Sequence, residues 1–265
     1  MQILVLTKPV PDPAAGAERL TGPDFRLDRA ASPTVVNGND EYALEAALQL
    51  VEAHGGEVAI LAMAPANATE TMRKALAMGA QRGVLVTDPA LAGADLPATV
   101  RVIAAAVAQE PFDLLLTGLD TSDGTGGVVA AGVAARLGLP LLSAAAAIEP
   151  DPTAGVVRVK RLSAKGYDLI EAPMPAVVSC TQALGAPRYP SLKGIMAARS
   201  REIAVRALAD LGAPPDGPLL AADGWATRVV AADPPPPRGE GRVVKAPAPD
   251  AAREIADFLA ARRLI

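Results

Sequence analysis

"DLLLTGLDTSDGTGGVVAAGVAARLGLP", Asp113 to Pro140, is the stretch on which the reading of this chain turns. Asp113–Gly118 opens it with an apolar run closed by threonine and glycine, the pattern of a strand buried on both faces. Val129–Leu137 closes it with small apolar residues, a helix of small side chains ending at Gly138. Between them the chain spends Gly118, Gly124, Gly126 and Gly127 on a loop almost free of bulk. A loop of that kind lets something approach the backbone, and strand, glycine turn and helix in this order make a βα unit.

The same unit repeats upstream. Gln2–Lys8 reads as a buried strand, followed by a long loop rich in Pro, Gly and Asp. A helix over 39–56 places Leu44, Leu48 and Val51 on one face, with Asn39 or Asp40 as cap and Gly55 as stop. Glu57–Ala64 is the next strand and 67–80 the next helix, with Asn67 or Thr69 as cap. Gly83–Asp88, 96–110 and Asp113–Gly118 continue the alternation. Alternating strands and helices predict an α/β fold, a Rossmann-like, doubly wound and mostly parallel sheet covered on both faces.

After Pro140 the pattern changes. Val156–Leu162 and Tyr167–Ala172, joined by "SAKG", predict an antiparallel hairpin, and Pro175–Cys180 returns to the core pattern. Beyond Thr181 little periodicity remains. "DPPPP" (233–237) and "APAPD" (246–250) mark an extended arm, and a final amphipathic helix over 251–265 carries Ile255, Phe258 and Leu259 on one face. The expected division is a Rossmann-like domain over 1–185 and a loop with extended C-terminal arm over 186–265.

Composition narrows the function. Of 265 residues 51% are apolar and 20% charged, with aromatics at 3%, so the core is built from Ala, Val and Leu. A net charge of −4 and no basic stripe exclude a phosphate backbone as partner, so nucleic acid is not expected. No apolar stretch reaches about 18 residues without charge, so membrane insertion is not expected, and the N-terminus has no secretory leader pattern. The expected location is cytoplasmic. The single cysteine, Cys180, lies in a strand pattern and reads as a buried small hydrophobe, while the single histidine, His54, sits at a helix end. One histidine excludes a multi-histidine metal site, and no group is placed as general acid, base or nucleophile.

The glycine loop does not match the short phosphate motifs. There is no G-x-x-x-x-G-K-[ST], and G-x-G-x-x-G fails because Val129 stands at the third glycine position. A phosphate or adenylate at the N-terminus of the following helix fits the physics, and a plain tight turn stays open on spacing alone.

Several segments in one order go further: "ILVLTKPVPD" (3–12), "NGNDEYALEAALQL" (37–50), "AMAPANATETMRKALAMGAQRGVLV" (62–86), the glycine loop, "PAVVSC" (175–180), "APRYPSLKGIMAARSREI" (186–203), "DPPPPRGEGRVV" (233–244) and "EIADFLAARRLI" (254–265). Together they resemble the small, or beta, subunit of electron transfer flavoprotein, the FixA-like family, over nearly the whole chain. The resemblance implies the adenine nucleotide alpha hydrolase-like variant of the fold. It also implies an electron carrier rather than an enzyme, with AMP in this subunit and FAD shared with or held by an alpha subunit. Carried over residue by residue, the nucleotide contacts are Leu6, Lys8, Asn37, Met63, Ala64, Asp123, Gly124, Thr125, Gly126, Gly127, Val128 and Val129. In this picture the backbone at Leu6 and Met63 reads the adenine edge, and the N–H groups of Thr125 to Val129 hold the phosphate.

The loop departs from the family pattern "D-G-D-T-x-Q-V", reading "DGTGGVV", so Thr125 and Val128 stand where a carboxylate and a glutamine are usual. Gly38 and Asn39 likewise replace a proline and an aromatic. Fewer side-chain donors remain, and more falls to the backbone. The resemblance also implies partner docking by Leu192, Lys193, Ile195, Met196 and Arg199, with Arg201 adding charge at the rim. The partners it implies are the alpha subunit, an acyl-CoA or related flavin dehydrogenase as donor in fatty acid oxidation, and a quinone oxidoreductase as acceptor. Two alternatives stand beside it: an electron-bifurcating subunit whose second FAD oxidises NADH, and a stand-alone adenylate module of the universal-stress type.

Overall fold

In chain order the strands are β1 (Gln2–Leu6), β2 (Pro9–Pro11), β3 (Thr34–Val36), β4 (Glu57–Met63), β5 (Arg82–Val86), β6 (Leu114–Gly118), β7 (Leu141–Asp151), β8 (Val156–Ser163), β9 (Gly166–Pro173), β10 (Ala176–Cys180) and β11 (Ile203–Arg206). The helices are α1 (Gly38–His54), α2 (Thr69–Met78), α3 (Leu96–Val107), α4 (Val129–Leu137), α5 (Leu192–Ala198) and α6 (Ala248–Ala261). This computed structural model describes residues 1–15, 25–29, 32–212, 226–227, 229–233, 236, 241 and 243–265. The first compact unit is Met1–Val230 and the second Ala231–Ile265.

In the first unit nine strands form one sheet in the order β11-β5-β4-β1-β6-β10-β7-β8-β9. Every pairing from β11 to β7 is parallel, and only β7–β8 and β8–β9 are antiparallel. The doubly wound, mostly parallel sheet expected from the sequence is therefore present. Its two faces follow from the period of two along β1. Ile3 and Val5 join a core with Leu44 and Leu48 of α1 and Met72 and Leu76 of α2. Leu4 and Leu6 join the opposite core with Val102 and Ile103 of α3 and Val133 of α4. These aliphatic side chains are fully or nearly fully buried.

Several sequence expectations need correction. The eleven-residue β7 has no strand signal of its own, because "LLSAAAAIEPD" carries four alanines and no β-branched residue before Ile148; its pairing with β10 and β8 overrides that propensity. The stretch after Thr181 holds β11, which extends the sheet at β5, so the division expected after residue 185 falls inside the first unit. Part of the Pro/Gly/Asp-rich loop pairs as β2 and β3. Helix α1 begins at Gly38 with Asn37 at the N-cap position, so Asn39 and Asp40 are not its caps. Thr69 donates its hydroxyl to Ala66 O at 2.9 Å, and Ala68 holds the N-cap position of α2.

In the second unit α6 starts at Ala248, so the end of "APAPD" is its first turn, where the fixed φ of Pro249 is tolerated. Ile255 and Phe258 are exposed on it. Much of "DPPPP" and of the following "RGEGR" lies outside the described residues. Among the described residues no helix is long and apolar enough to cross a membrane.

Candidate functional site

From β1 the chain winds to β4 and β5 on one side, then returns to place β6 and β10 on the other. The crossovers thus diverge between β1 and β6, and the crevice beyond their carboxyl ends is where an open α/β sheet binds ligands. A cavity of about 670 Å³ lies there. It is lined by the chain after β1 (Leu6–Pro9), after β4 (Met63–Ala66), after β5 (Thr87–Pro89) and at the end of β6 (Thr117–Thr121), and by Gly126–Ala130 at the start of α4.

The start of α4 is open. Its N-cap, Val128, offers no side-chain acceptor, and its first turn has no acidic residue. Thr125 N–H is spent on Thr121 O at 2.7 Å, whereas the N–H groups of Gly126 to Val129 donate to no described residue. Thr125 (φ 45°) and Gly127 (φ 61°) hold left-handed backbone, the local geometry of anion-binding nests. Glycine takes this conformation at position 127 without a Cβ clash. Unpaired N–H groups at the positive end of a helix fit a phosphate, so the residues present suit an adenylate.

Of the twelve sequence-predicted nucleotide residues, Leu6, Lys8, Met63, Ala64, Gly126, Gly127, Val128 and Val129 line the cavity, and Asn37, Asp123, Gly124 and Thr125 do not. Those outside it shape the loop. Asn37, 1% exposed, donates from Nδ2 to Asp120 O at 2.8 Å and accepts at Oδ1 from Ser122 N–H at 3.1 Å. Both ends of its amide are thus used on the glycine loop. The Asp123 carboxylate is buried and paired with Lys8 Nζ and Arg29 Nη2, each at 2.8 Å. Burial opposes its ionisation, but the hydrogen bond and charge of Lys8, helped by Thr121 and Arg29, outweigh burial and hold Asp123 below the usual carboxylate range.

In the sequence Asp40 carries only the signal of a helix cap. It is 5% exposed, lines the cavity floor, and accepts Lys8 N–H at Oδ2 at 2.8 Å. Burial pushes its pKa up to about 7, against the opposing pull of Asn37, the Lys8 and Gly118 N–H groups and the Lys8 charge. A Cβ at position 118 would stand 2.4 Å from Asp40 Oδ1, so only glycine lets the end of β6 meet the start of α1 this closely. The neighbouring Asn39 hydrogen-bonds the Asp120 carboxylate. A polar residue at a helix start carries the signal of a cap, and only the fold shows that these side chains turn across to other strands.

The predicted docking residues come together on α5. Leu192 is 77% exposed, and Lys193, Ile195, Met196 and Arg199 are exposed with it. Ser191 caps the helix, accepting Gly194 N–H at 3.0 Å. Arg201 differs: its guanidinium donates to Leu76 O and Ala80 O, capping the end of α2 rather than adding free charge to the rim.

Fold and cavity define a doubly wound α/β protein with a ligand site at the switch point of its sheet. Residues 24–211 match the family profile described as "Electron transfer flavoprotein domain". The chain is 37% identical to "Electron transfer flavoprotein subunit beta" of Mycobacterium leprae, over 99% of both chains. It is 33% identical to "Caffeyl-CoA reductase-Etf complex subunit CarD" of Acetobacterium woodii over 92% of both, and 37% identical to "Protein FixA" of Azorhizobium caulinodans over 80% of this chain and 77% of that one. This chain belongs to the electron transfer flavoprotein family, among its beta subunits.

Proposed function

We propose that this chain is the beta subunit of a heterodimeric electron transfer flavoprotein, holding AMP in the switch-point cavity while FAD is held mainly by an alpha subunit. The observation that carries this reading is the row of N–H groups from Gly126 to Val129 on the cavity wall, which donate to no described residue. Lys8 and Arg29 line the same cavity and supply positive charge. When bound, the flavin accepts and passes electrons one or two at a time. The chain's own residues bind and orient: the glycine loop holds the phosphate, the strand ends at Leu6 and Met63 offer backbone to the adenine edge, and α5 docks an acyl-CoA-type dehydrogenase. The exposed apolar face of α6 packs on the alpha subunit, and a quinone oxidoreductase receives the electrons.

A second reading has an observation of its own. The cavity continues past the phosphate cradle to Leu61, Leu91 and Ile103, an apolar end suited to a flat ring system. A second FAD there makes the protein a bifurcating subunit that oxidises NADH, and one relative is named as part of a caffeyl-CoA reductase complex. Co-expression with the alpha subunit, followed by denaturation and chromatography of the released nucleotides, separates the two. One FAD and one AMP per heterodimer support the shuttle. Two FAD without AMP replace it with the bifurcating reading, and an empty cavity overturns both.

A further inference from the structure

α5 holds its exposed apolar residues on a segment anchored at both ends. On its carboxyl side the ties to α2 are reciprocal. Arg201 donates to Leu76 O at 2.6 Å and Ala80 O at 2.5 Å, and Arg73 of α2 donates to Ala198 O at 2.5 Å and Arg201 O at 3.2 Å. Gly194 lies so close to α2 that a Cβ would stand 2.3 Å from Ala77 O.

On the amino side one residue carries the anchor. Arg188 donates to Glu45 from its backbone N–H (3.1 Å), Nε (2.8 Å) and Nη2 (3.0 Å), and to Glu52 from Nη1 (2.5 Å) and Nη2 (3.1 Å). Glu45 and Glu52 stand two turns apart on one face of α1, spaced to receive both edges of a planar guanidinium. Glu45 is 6% exposed and also accepts Gln49 Nε2 at 2.8 Å. Burial opposes the Glu45 charge, yet the Arg188 and Gln49 hydrogen bonds hold its carboxyl below the ordinary range; Glu52 is lowered chiefly by its hydrogen bond to Arg188. Among the described residues from Ala186 to Pro190, no other side chain makes a hydrogen bond or ion pair, and Tyr189 is 95% exposed.

We propose that Arg188 is a positioning residue for partner recognition: by gripping Glu45 and Glu52 it fixes the path into α5 and so orients Leu192 and Met196 before a dehydrogenase arrives. This rests on the reading of α5 as the docking surface. An anchor already held in its bound arrangement loses less freedom on binding, so the clamp acts on affinity and not on electron transfer itself. Lysine cannot replace the arginine fully, because one ammonium cannot span two carboxylates in fixed geometry.

The test uses the flavin-loaded heterodimer with an acyl-CoA dehydrogenase that reduces the wild type. KM for the dehydrogenase, kcat, bound flavin and the urea midpoint are measured for Arg188→Met, Arg188→Lys, Glu52→Gln, Leu192→Ala and the Arg188→Met/Leu192→Ala double variant. Arg188→Met is expected to raise KM about tenfold, with kcat and flavin content unchanged. Arg188→Lys falls between it and wild type. Glu52→Gln leaves the buried pair with Glu45 in place, keeps the urea midpoint and raises KM about threefold, so the inference is testable even where Arg188→Met folds poorly. The double variant is no worse than Leu192→Ala alone, because the clamp works through the anchor. The inference is overturned if Arg188→Lys and Glu52→Gln leave KM unchanged, or if Arg188→Met adds its full factor on top of Leu192→Ala. If Leu192→Ala raises KM and the clamp variants do not, the docking surface stands and only the role of Arg188 falls. If Leu192→Ala itself has no effect, the docking reading fails and the role of Arg188 with it.

Discussion

Titration of Asp40 has a calculable effect on stability. In the folded protein burial raises this carboxyl to about 7, against 3.8 for an ordinary aspartate. Between those values the folded chain keeps a proton that the unfolded chain has released. The unfolded state therefore binds fewer protons, and the Asp40 contribution to stability falls as pH rises from about 4 to about 7, then levels. A difference of about three pKa units at about 1.4 kcal/mol each gives a loss of roughly 4 kcal/mol across the window. The perturbation is Asp40→Asn, measured beside wild type by urea unfolding at several pH values. Asparagine places an NH2 group against one of the backbone N–H donors that the Asp40 carboxyl oxygens accept, which costs stability by an amount independent of pH. Its slope with pH lacks the Asp40 part. Glu45, Glu52, Asp95 and Asp123 have lowered pKa values, and the stability they contribute is present above the unfolded value and lost in acid. Those contributions are common to both proteins and cancel in the difference. Wild-type stability minus that of Asp40→Asn is expected to fall by about 1.4 kcal/mol per pH unit between about pH 4 and pH 7. A difference that stays flat, or rises with pH, refutes the buried-carboxylate reasoning.

Two further outcomes follow from local geometry. Gly118→Ala forces a methyl to within 2.4 Å of Asp40 Oδ1 and 2.8 Å of the Asn39 carbonyl carbon, so an overpacking cost of about 1–3 kcal/mol is expected. A lowered urea midpoint checks it, and an unchanged midpoint contradicts the contact. Cys180 is buried at the end of β10, and burial pushes its thiol well above the usual range. Ellman's reagent is expected to leave it untouched in the native protein and to react fully in urea; rapid native labelling would show that the strand end opens.

The elements most legible in the sequence were those whose signal is local. Apolar runs such as Ile3–Leu6 and Leu114–Leu116 became parallel strands because both of their faces are buried, and continuous hydrophobicity is the direct record of that. The glycine loop announced backbone approach because missing side chains are visible in any sequence. β7 stayed hidden because alanine has little strand preference of its own, and its place in the sheet comes from β10 on one side and β8 on the other. Eight of the twelve residues that the resemblance implies line the cavity, whereas Asn37 and Asp123, whose types suit a ligand contact, bond the glycine loop and the cations beside it.

What the sequence hid most thoroughly is carried by α1, through side chains that act across long separations in the chain. At its amino end Asp40 joins the ends of β1 and β6 and forms the cavity floor, with Asn37 just before it holding the glycine loop. About one and three turns further along, Glu45 and Glu52 receive Arg188, 143 and 136 positions away in sequence. An amphipathic helix pattern reports the apolar face of such an element and says nothing of what its polar residues grip. At about 1.5 Å per residue, Asp40 and Glu45 lie less than about 8 Å apart along one helix axis. The switch-point cavity and the segment that leads into α5 thus share one rigid support, and their spacing is set by α1 rather than by the loops around them.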